Sequence, residues 1–490
     1  MKKQFIRNNI IAFLAHIMTY LKGIILMPII IKTVGVSVYG SFILITSVIG
    51  VLFALSSLGV GVKSQRYLPS ATTSDQKAKL FYPPFFFQFF VIIFISSFFI
   101  IFQHSIEVYF LNNNSSFSSY IIPIYLLSIF LYAQAYNYLR GRLKIFSMNV
   151  MAVSGTYLHI FFILLYVTYV DRININTLIL SEGLAVFLVV LPAIILIYRE
   201  IHPRFIVYKF SEIKEQVKLG FPLILNYIVD FILAASDRFI LAYYMGAIAV
   251  GLYVPAYTLG SVILLVPKAI GTVVPQMMSK SLDDGNFMQA KNIFFNSIKI
   301  YGVLSIPFIF GIYLVSYDAL LLLTNSQVAE KGQAIATIVA IGSFFYGLNI
   351  IITQANMVDL KTKIIFKANA IAAIVNVILN IAILHFIQNI YVPAITTLLS
   401  FFIATVYFYK ELDPKWHDSR IIGLILKLFL ISSLMLIIVS NCINYLPMIS
   451  ILYTLLIKIF FSIVVYVTLI FIFHIYSPQQ IKESKGLLKK

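Results

Sequence analysis

The sequence predicts an all-α polytopic membrane protein of about fourteen transmembrane helices, and three observations predict it. Of 490 residues, 61% are hydrophobic and only 11% charged, with a mean hydropathy of +0.96, too apolar for a soluble globular chain. Apolar runs of about 20 residues, the length a hydrocarbon core about 30 Å thick demands, recur along almost the whole chain. The alternating segments of roughly ten residues that a β-barrel requires are absent.

In order, the runs fall at approximately 9–31, 39–62, 84–103, 119–139, 147–170, 177–198, 219–241, 250–275, 293–316, 334–356, 368–388, 391–410, 421–443 and 451–475. The first follows "MKKQFIRNN", is too long for a signal-peptide core and lacks a small-residue cleavage site, so it is expected to be retained as a span. The longest connections, 63–83 and 199–218, are too short to bury a core of their own. Prolines interrupt several spans (Pro28, Pro222, Pro255, Pro267, Pro275, Pro307), which permits kinks and is also common in membrane helices.

Orientation follows from the 36 Lys and Arg residues. With both termini cytoplasmic, inner segments hold 27 of them and outer loops three (Lys32, Arg172, Lys331), a strong positive-inside signal. Basic residues spread over every inner loop also account for the +18 charge through topology and anionic headgroups, so no nucleic-acid partner is expected. The single Cys442 cannot form an intramolecular disulfide, and His16, His159, His385 and His474 lack metal-ligand spacing, so no metal is expected.

The chain contains a repeat. "KTVGVSVYGSFILIT" (32–46) and "YYMGAIAVGLYVPAY" (243–257) place glycines five apart, Gly35 with Gly40 and Gly246 with Gly251, between spans 1 and 2 and between spans 7 and 8. An offset of six helices keeps the orientation, as in parallel repeats of transporters. The expected organisation is a six-helix lobe over 1–205, a second over 206–420, and spans 13 and 14 with a cytoplasmic tail over 421–490. Two glycines in a tight turn also arise independently, and the basic linker 199–218 between the halves favours the repeat.

A charge near the bilayer centre costs roughly 2.5–3.5 kcal/mol on insertion scales and so calls for a partner or a wet cavity. Lys299 and Lys427, near inner ends, and Glu182 and Lys458, near outer ends, are placed to snorkel. Lys22 lies in mid-span on a stripe of Asn8, Ala12, Ala15 and Thr19, which suits a cavity wall or a close helix seam. Tyr257, Ser261, Leu264, Lys268 and Thr272 repeat that pattern in span 8. Asn226, Asp230 and Asp237 share a face of span 7, as sites for a coupling cation or as partners in a bridge to Lys268 or Arg238. Asn369, Asn376 and Asn380 in span 11, and Asn349, Gln354 and Asn356 in span 10, either bond sugar hydroxyls or join neighbouring helices.

Two stretches resemble the polysaccharide repeat-unit flippases (Wzx type) of the multidrug, oligosaccharidyl-lipid and polysaccharide exporter superfamily. One is "LGFPLILNYIVDFILAASDRFILAYYMGAIAVGLYVPAYTL", Leu219 to Leu259, with Gly-Phe-Pro opening a span and Asp237-Arg238 near its end. The other is "VGVSVYGSFILITSVIGVLFALSSLGVGVKSQRYLP", Val34 to Pro69, with Leu58-Gly59 and Arg66. The resemblance implies a V-shaped pair of six-helix lobes in a bacterial cytoplasmic (inner) membrane. It implies transport of an undecaprenyl-diphosphate-linked oligosaccharide by alternating access for an O-antigen, capsule or other envelope polysaccharide, alongside a polymerase and chain-length machinery. By position, Lys22 and Lys268 would then hold the diphosphate, with Arg66 at the cytoplasmic mouth and Asn226, Tyr257, Asn376 and Asn380 lining the cavity. Spans 13 and 14 would form a groove for the lipid tail.

No nucleotide-binding loop is present, so a proton or sodium gradient is the expected energy source, with Asp230 or Asp237 as the carboxylate, and no cofactor is expected. A multidrug exporter of the same superfamily would favour a cavity of carboxylates and aromatics without the lysines. A membrane-embedded glycan polymerase would need a larger outward loop than 104–118, which carries Glu107, or 317–333, with Asp318, Glu330 and Lys331. A structural scaffold would have no use for Lys22 and Asp230 in mid-span.

Overall fold

The computed structural model describes residues 2–102, 118, 120–169, 173–443 and 450–475; the expectations for Glu107, Arg172 and the tail beyond 475 lie outside them. The described residues are helical with no strand. The helices are α1 (Lys2–Val34), α2 (Val36–Ser56), the short α3 (Val62–Tyr67), α4 (Ser74–Ile101), α5 (Ile121–Gly141), α6 (Ile145–Tyr169), α7 (Ile175–Glu200) and α8 (Phe210–Gly260). They continue with α9 (Leu265–Asp283), α10 (Phe287–Leu323), α11 (Ser326–Val358), α12 (Thr362–Phe386), α13 (Val392–Glu411), α14 (Arg420–Ile443) and α15 (Ile451–Ile472).

Each of the fourteen expected spans overlaps a helix, although residues 57–61 at the end of span 2 form a turn and 261–264 in span 8 a 3₁₀ turn. Among the described residues twelve helical stretches suffice by length and composition to cross a membrane. One of them, Phe210–Asp283, holds spans 7 and 8 together. Span 4, α5, is not among the twelve; its second half carries Gln134, Asn137 and Arg140, which lower its hydropathy.

The glycine repeat is a repeat of backbone geometry. Gly35 (φ 97°, ψ 167°) and Gly246 (φ 78°, ψ 177°) adopt the same extended positive-φ conformation, which is essentially reserved for glycine. The second glycines pack reciprocally: a Cβ at Gly40 would lie 2.0 Å from the Ala247 carbonyl oxygen, and one at Gly251 would lie 2.1 Å from that of Val36.

A second matched pair carries no glycine. At the α5–α6 turn Leu143 has φ 56°, and at the α11–α12 turn Leu360 has φ 58°. The Leu143 and Lys144 N–H groups donate to the Arg140 and Leu139 carbonyls at 3.0 and 2.9 Å. Leu360 and Lys361 donate likewise to Met357 and Asn356 at 3.0 and 2.8 Å. Both are Schellman closures. The residue before each leucine differs in charge, and each is held by its opposite: Arg142 Nε by Glu200 at 3.3 Å, and Asp359 by the Lys415 ammonium at 2.8 Å.

The chain divides into two compact units, 1–251 and 252–490. Packing therefore divides it beyond the basic linker 199–218 and groups most of α8 with α1–α7. A cause is visible at Gly59 and Gly220, where a Cβ on either would lie 2.4 Å from the other's Cα. In the second unit α14 and α15, spans 13 and 14, pack on α10. The Tyr466 hydroxyl donates to the Val303 carbonyl at 2.7 Å, and Lys458 pairs with Asp318 at 2.5 Å. Phe429, Leu430, Phe460 and Ile463 lie exposed on these two helices.

Candidate transport site

In the first unit, Lys22 and Glu182 are brought together by helices far apart in sequence. Lys22 on α1 reaches the Glu182 carboxylate on α7 at 2.6 Å, with side chains 25% and 15% exposed. Glu182 also accepts from the Tyr125 hydroxyl of α5. The fully buried His159 of α6 brings its Nδ1 within 4.0 Å of the same carboxylate, with the Phe42 ring of α2 alongside. Glu182 therefore does not snorkel outward as its position in the span suggests; the ammonium, phenol and imidazole gather around it instead. Lys458, bonded to Asp318, and Lys299, which donates to the Ile475 carbonyl at 2.8 Å, are likewise held by protein groups.

The stripe that carries Lys22 does border open space. Ala15 and Thr19 line a cavity of about 300 Å³ with His16, Tyr132, Tyr136 and Asn149. A larger cavity of about 580 Å³ lies beside it, and Ala133 and Asn137 of α5 belong to the walls of both. The larger one is lined in part by Ser57, Gln65, Gln88, Gln134, Arg140 and Tyr227. Among the described residues neither cavity is lined by a carboxylate, and Arg140 is the only permanently charged lining side chain.

An amide chain crosses the larger cavity's wall. Gln134 Nε2 donates to Gln88 Oε1 at 2.8 Å, and Gln88 Nε2 donates to Ser56 Oγ at 2.8 Å. One turn along α5, Asn137 is exposed to both cavities. The sequence reading passed over this helix because it carries no ionised group in its apolar part. Its signal is the spacing within each pair, Tyr132 with Tyr136 and Gln134 with Asn137, which puts the two tyrosines on one face and the two amides on another.

The other expected site residues are distributed as follows. Arg66 is exposed on α3 with its guanidinium 5.4 Å from the Tyr67 ring. Asn226 is exposed and donates to the Pro222 carbonyl of its own helix at 3.1 Å. Asp230 is exposed on α8, while Asp237 is buried and accepts the Arg238 backbone N–H at 2.8 Å.

In the second unit, Lys268 is exposed on α9 and Tyr257 packs against Tyr253 with ring centroids 5.7 Å apart. Their expected common stripe is broken, because a 3₁₀ turn at Ser261–Leu264 separates α8 from α9. With 3.0 residues per turn it rotates Lys268 out of register with Tyr257. Thr272 lies outside the described side chains. Asn376 Nδ2 donates to Thr397 Oγ1 at 3.0 Å and Asn380 Nδ2 to Asn376 Oδ1 at 3.2 Å, with all three residues buried. They lie in the seam between α12 and α13. Asn349 Nδ2 likewise donates to the Phe401 carbonyl at 3.3 Å.

Residues 5–281 match the family model described as polysaccharide biosynthesis protein, and residues 222–382 match one described as MatE. The probable flippase AglR of Haloferax volcanii is 25% identical over 214 residues, 43% of this chain and 44% of that protein. The chain thus spans less than half the length of this curated relative. A structure described as lipid II flippase MurJ in an inward closed conformation superposes with a TM-score of 0.73 at 20% identity, covering 96% of this chain and 99% of that one. A multidrug resistance MATE family transporter of the MOP superfamily, inward-facing, superposes at 0.63 with 11% identity over 83% and 95% of the two chains. These likenesses show the fold.

Proposed function

Because this chain belongs to the polysaccharide biosynthesis protein family, we propose that it is a flippase for a lipid-linked oligosaccharide. In this reading it moves an undecaprenyl-diphosphate-linked repeat unit from the inner to the outer leaflet of a bacterial cytoplasmic membrane. It acts as a transporter and not an enzyme, and hands its cargo to the polymerising machinery of an O-antigen, capsule or related envelope polymer. The observation that carries the reading is the pair of cavities with amide and hydroxyl side chains in their walls, inside the first unit of a chain made largely of apolar spans. A glycan cannot cross hydrocarbon with its hydroxyls unsatisfied, so its carrier must supply polar groups within the membrane. The likeness to proteins named as flippases supports the same reading.

Each expected residue has a role here. Lys22, Lys268 and Arg66 supply positive charge for the diphosphate; lysine acts on phosphate as a point charge. Lys22 must give up Glu182 to do so. Asp230 and Asp237 are the carboxylates for a coupling proton or sodium ion. Asn226 and Tyr257 face the cargo, whereas Asn376 and Asn380 hold α12 to α13.

The test is flipping in proteoliposomes that hold the full chain. A fluorescent undecaprenyl-diphosphate oligosaccharide in the outer leaflet should become protected from a membrane-impermeant quencher, faster under an imposed proton or sodium gradient. No protection above that of empty liposomes, together with uptake of a cationic dye, would instead make the chain a drug exporter.

A further inference from the structure

The geometry points to the 132–140 segment of α5 as a subsite that reads uncharged sugar residues, with Gln134 in the larger cavity, Tyr132 and Tyr136 as a stacking wall in the smaller one, and Asn137 bordering both. This deepens the flippase reading and rests on it for the identity of the cargo.

Three observations carry it. The segment contributes to both cavities, of about 300 and 580 Å³, the smaller at the lower limit and the larger inside the usual range for small-molecule sites: Tyr132 and Tyr136 line the smaller, Gln134 and Arg140 the larger, and Asn137 both. Its amides are left with capacity to spare. Gln88 is engaged at both ends of its amide, but the Gln134 carbonyl oxygen and both polar atoms of Asn137 have no hydrogen-bond partner among the described residues. A carboxamide both donates and accepts, which matches a hydroxyl or an N-acetyl group and gives no preference to an anion. The tyrosine rings lie nearly parallel, with centroids 6.1 Å apart and 24° between planes, and both border the smaller cavity. They offer rigid apolar surface with a polar edge, which suits the alternation of C–H faces and hydroxyls on a pyranose.

The charge pattern sets the ligand class. Among the described residues no carboxylate lines either cavity to repel or bind ions, and the one permanent cation lining them, Arg140, lies where α5 leaves its span. A uronic acid drawn in beside Gln134 would exchange its hydration for neutral amides, with the Arg140 cation about two turns further along the helix, and that disfavours it at Gln134 itself. The amide chain from Ser56 through Gln88 to Gln134 fixes the Gln134 side chain against one wall. Preorganisation of this kind lets a neutral hydrogen bond discriminate, because its loss leaves a desolvated partner unpaired.

The experiment uses the full chain in nanodiscs with four probes. These are the neutral disaccharides cellobiose and N,N′-diacetylchitobiose, a glucuronic-acid disaccharide, and undecaprenyl diphosphate without sugar. Binding is read by saturation-transfer NMR for the sugars and by quenching for the lipid. Asn137→Ala, which removes no bond within the protein, and Gln134→Leu should each weaken neutral-disaccharide binding by about tenfold, the scale of one or two hydrogen bonds. Undecaprenyl diphosphate affinity and thermal unfolding of Asn137→Ala should stay as in the wild type. Unchanged disaccharide binding in both variants, no disaccharide binding by the wild type, or equal binding of the acidic disaccharide would each overturn the subsite. Disaccharide binding lost in the variants while the wild type ignores undecaprenyl diphosphate would support the subsite and sink the lipid-diphosphate cargo, so the two failures are distinguishable.

Discussion

The two units use the same side chains in opposite ways. In the first, Gln134 and Asn137 on α5 face cavities and leave hydrogen-bonding capacity open. In the second, Asn376 and Asn380 on α12 are buried and bonded to each other and to Thr397. Both pairs sit on one helical face, three or four residues apart, and composition does not distinguish them. What differs is the neighbour: α12 meets the small hydroxyl-bearing face of α13 (Pro393, Thr396, Thr397, Ser400), which lets the helices close. The α5 amides instead border open space, Asn137 on both cavities with Tyr132 and Tyr136 beside it in the smaller, and Gln134 on the larger. An amide stripe thus marks either a seam or a cavity, and what it meets decides which.

The largest expected effect tests the buried charge of the first unit. Lys22→Ala with Glu182 intact strands a carboxylate and should cost about 3 kcal/mol, seen as a fall in the detergent unfolding temperature. Lys22→Ala combined with Glu182→Gln should restore most of that stability. If Lys22 also serves the diphosphate, the double variant still fails to transport; full transport by it would confine the lysine to structure.

The reciprocal glycines come next. Gly40→Ala and Gly251→Ala each drive a methyl into a carbonyl 2.0–2.1 Å away, and overpacking of this kind costs up to about 3 kcal/mol. Equal losses in the two variants would match their equivalent packing, and a loss in only one would break it.

The seam follows. Asn376→Ala should destabilise by about 1–2 kcal/mol, because it leaves Asn380 and Thr397 without the bonds they now make. Smallest is Asn137→Ala, expected within about 0.5 kcal/mol of wild type in stability. If Asn137→Ala destabilised as much as Asn376→Ala, the contrast between cavity and seam would fail.

Much of this could be read before the structure, and the rest has physical reasons. Among the described residues thirteen of the fourteen expected spans coincide with helices long and apolar enough to cross a membrane, since a membrane imposes length and composition on each separately; α5 falls short through its polar second half. The Gly35 and Gly246 turns were legible because their backbone conformation excludes other residues. The matched turns at Leu143 and Leu360 were not, as leucine carries no signal for positive φ. Nor was the Lys22–Glu182 pair, whose members lie 160 residues apart and meet only through the packing of α1 on α6 and of α6 on α7. The 3₁₀ break at Ser261–Leu264 follows Gly260, which lies against α11 so closely that a Cβ there would be 2.4 Å from the Ala336 carbonyl. That contact is tertiary and leaves no periodicity to find. On α5, attention to charge hid a polar face that spacing alone displays.

The most direct test of the account is photo-crosslinking of the full chain in liposomes with an undecaprenyl-diphosphate oligosaccharide that carries a diazirine on its sugar. The account predicts adducts concentrated in residues 132–140 of α5 and absent from 376–380 of α12, with loss of the α5 adducts in Asn137→Ala. Adducts at 376–380, or none on α5, would contradict it.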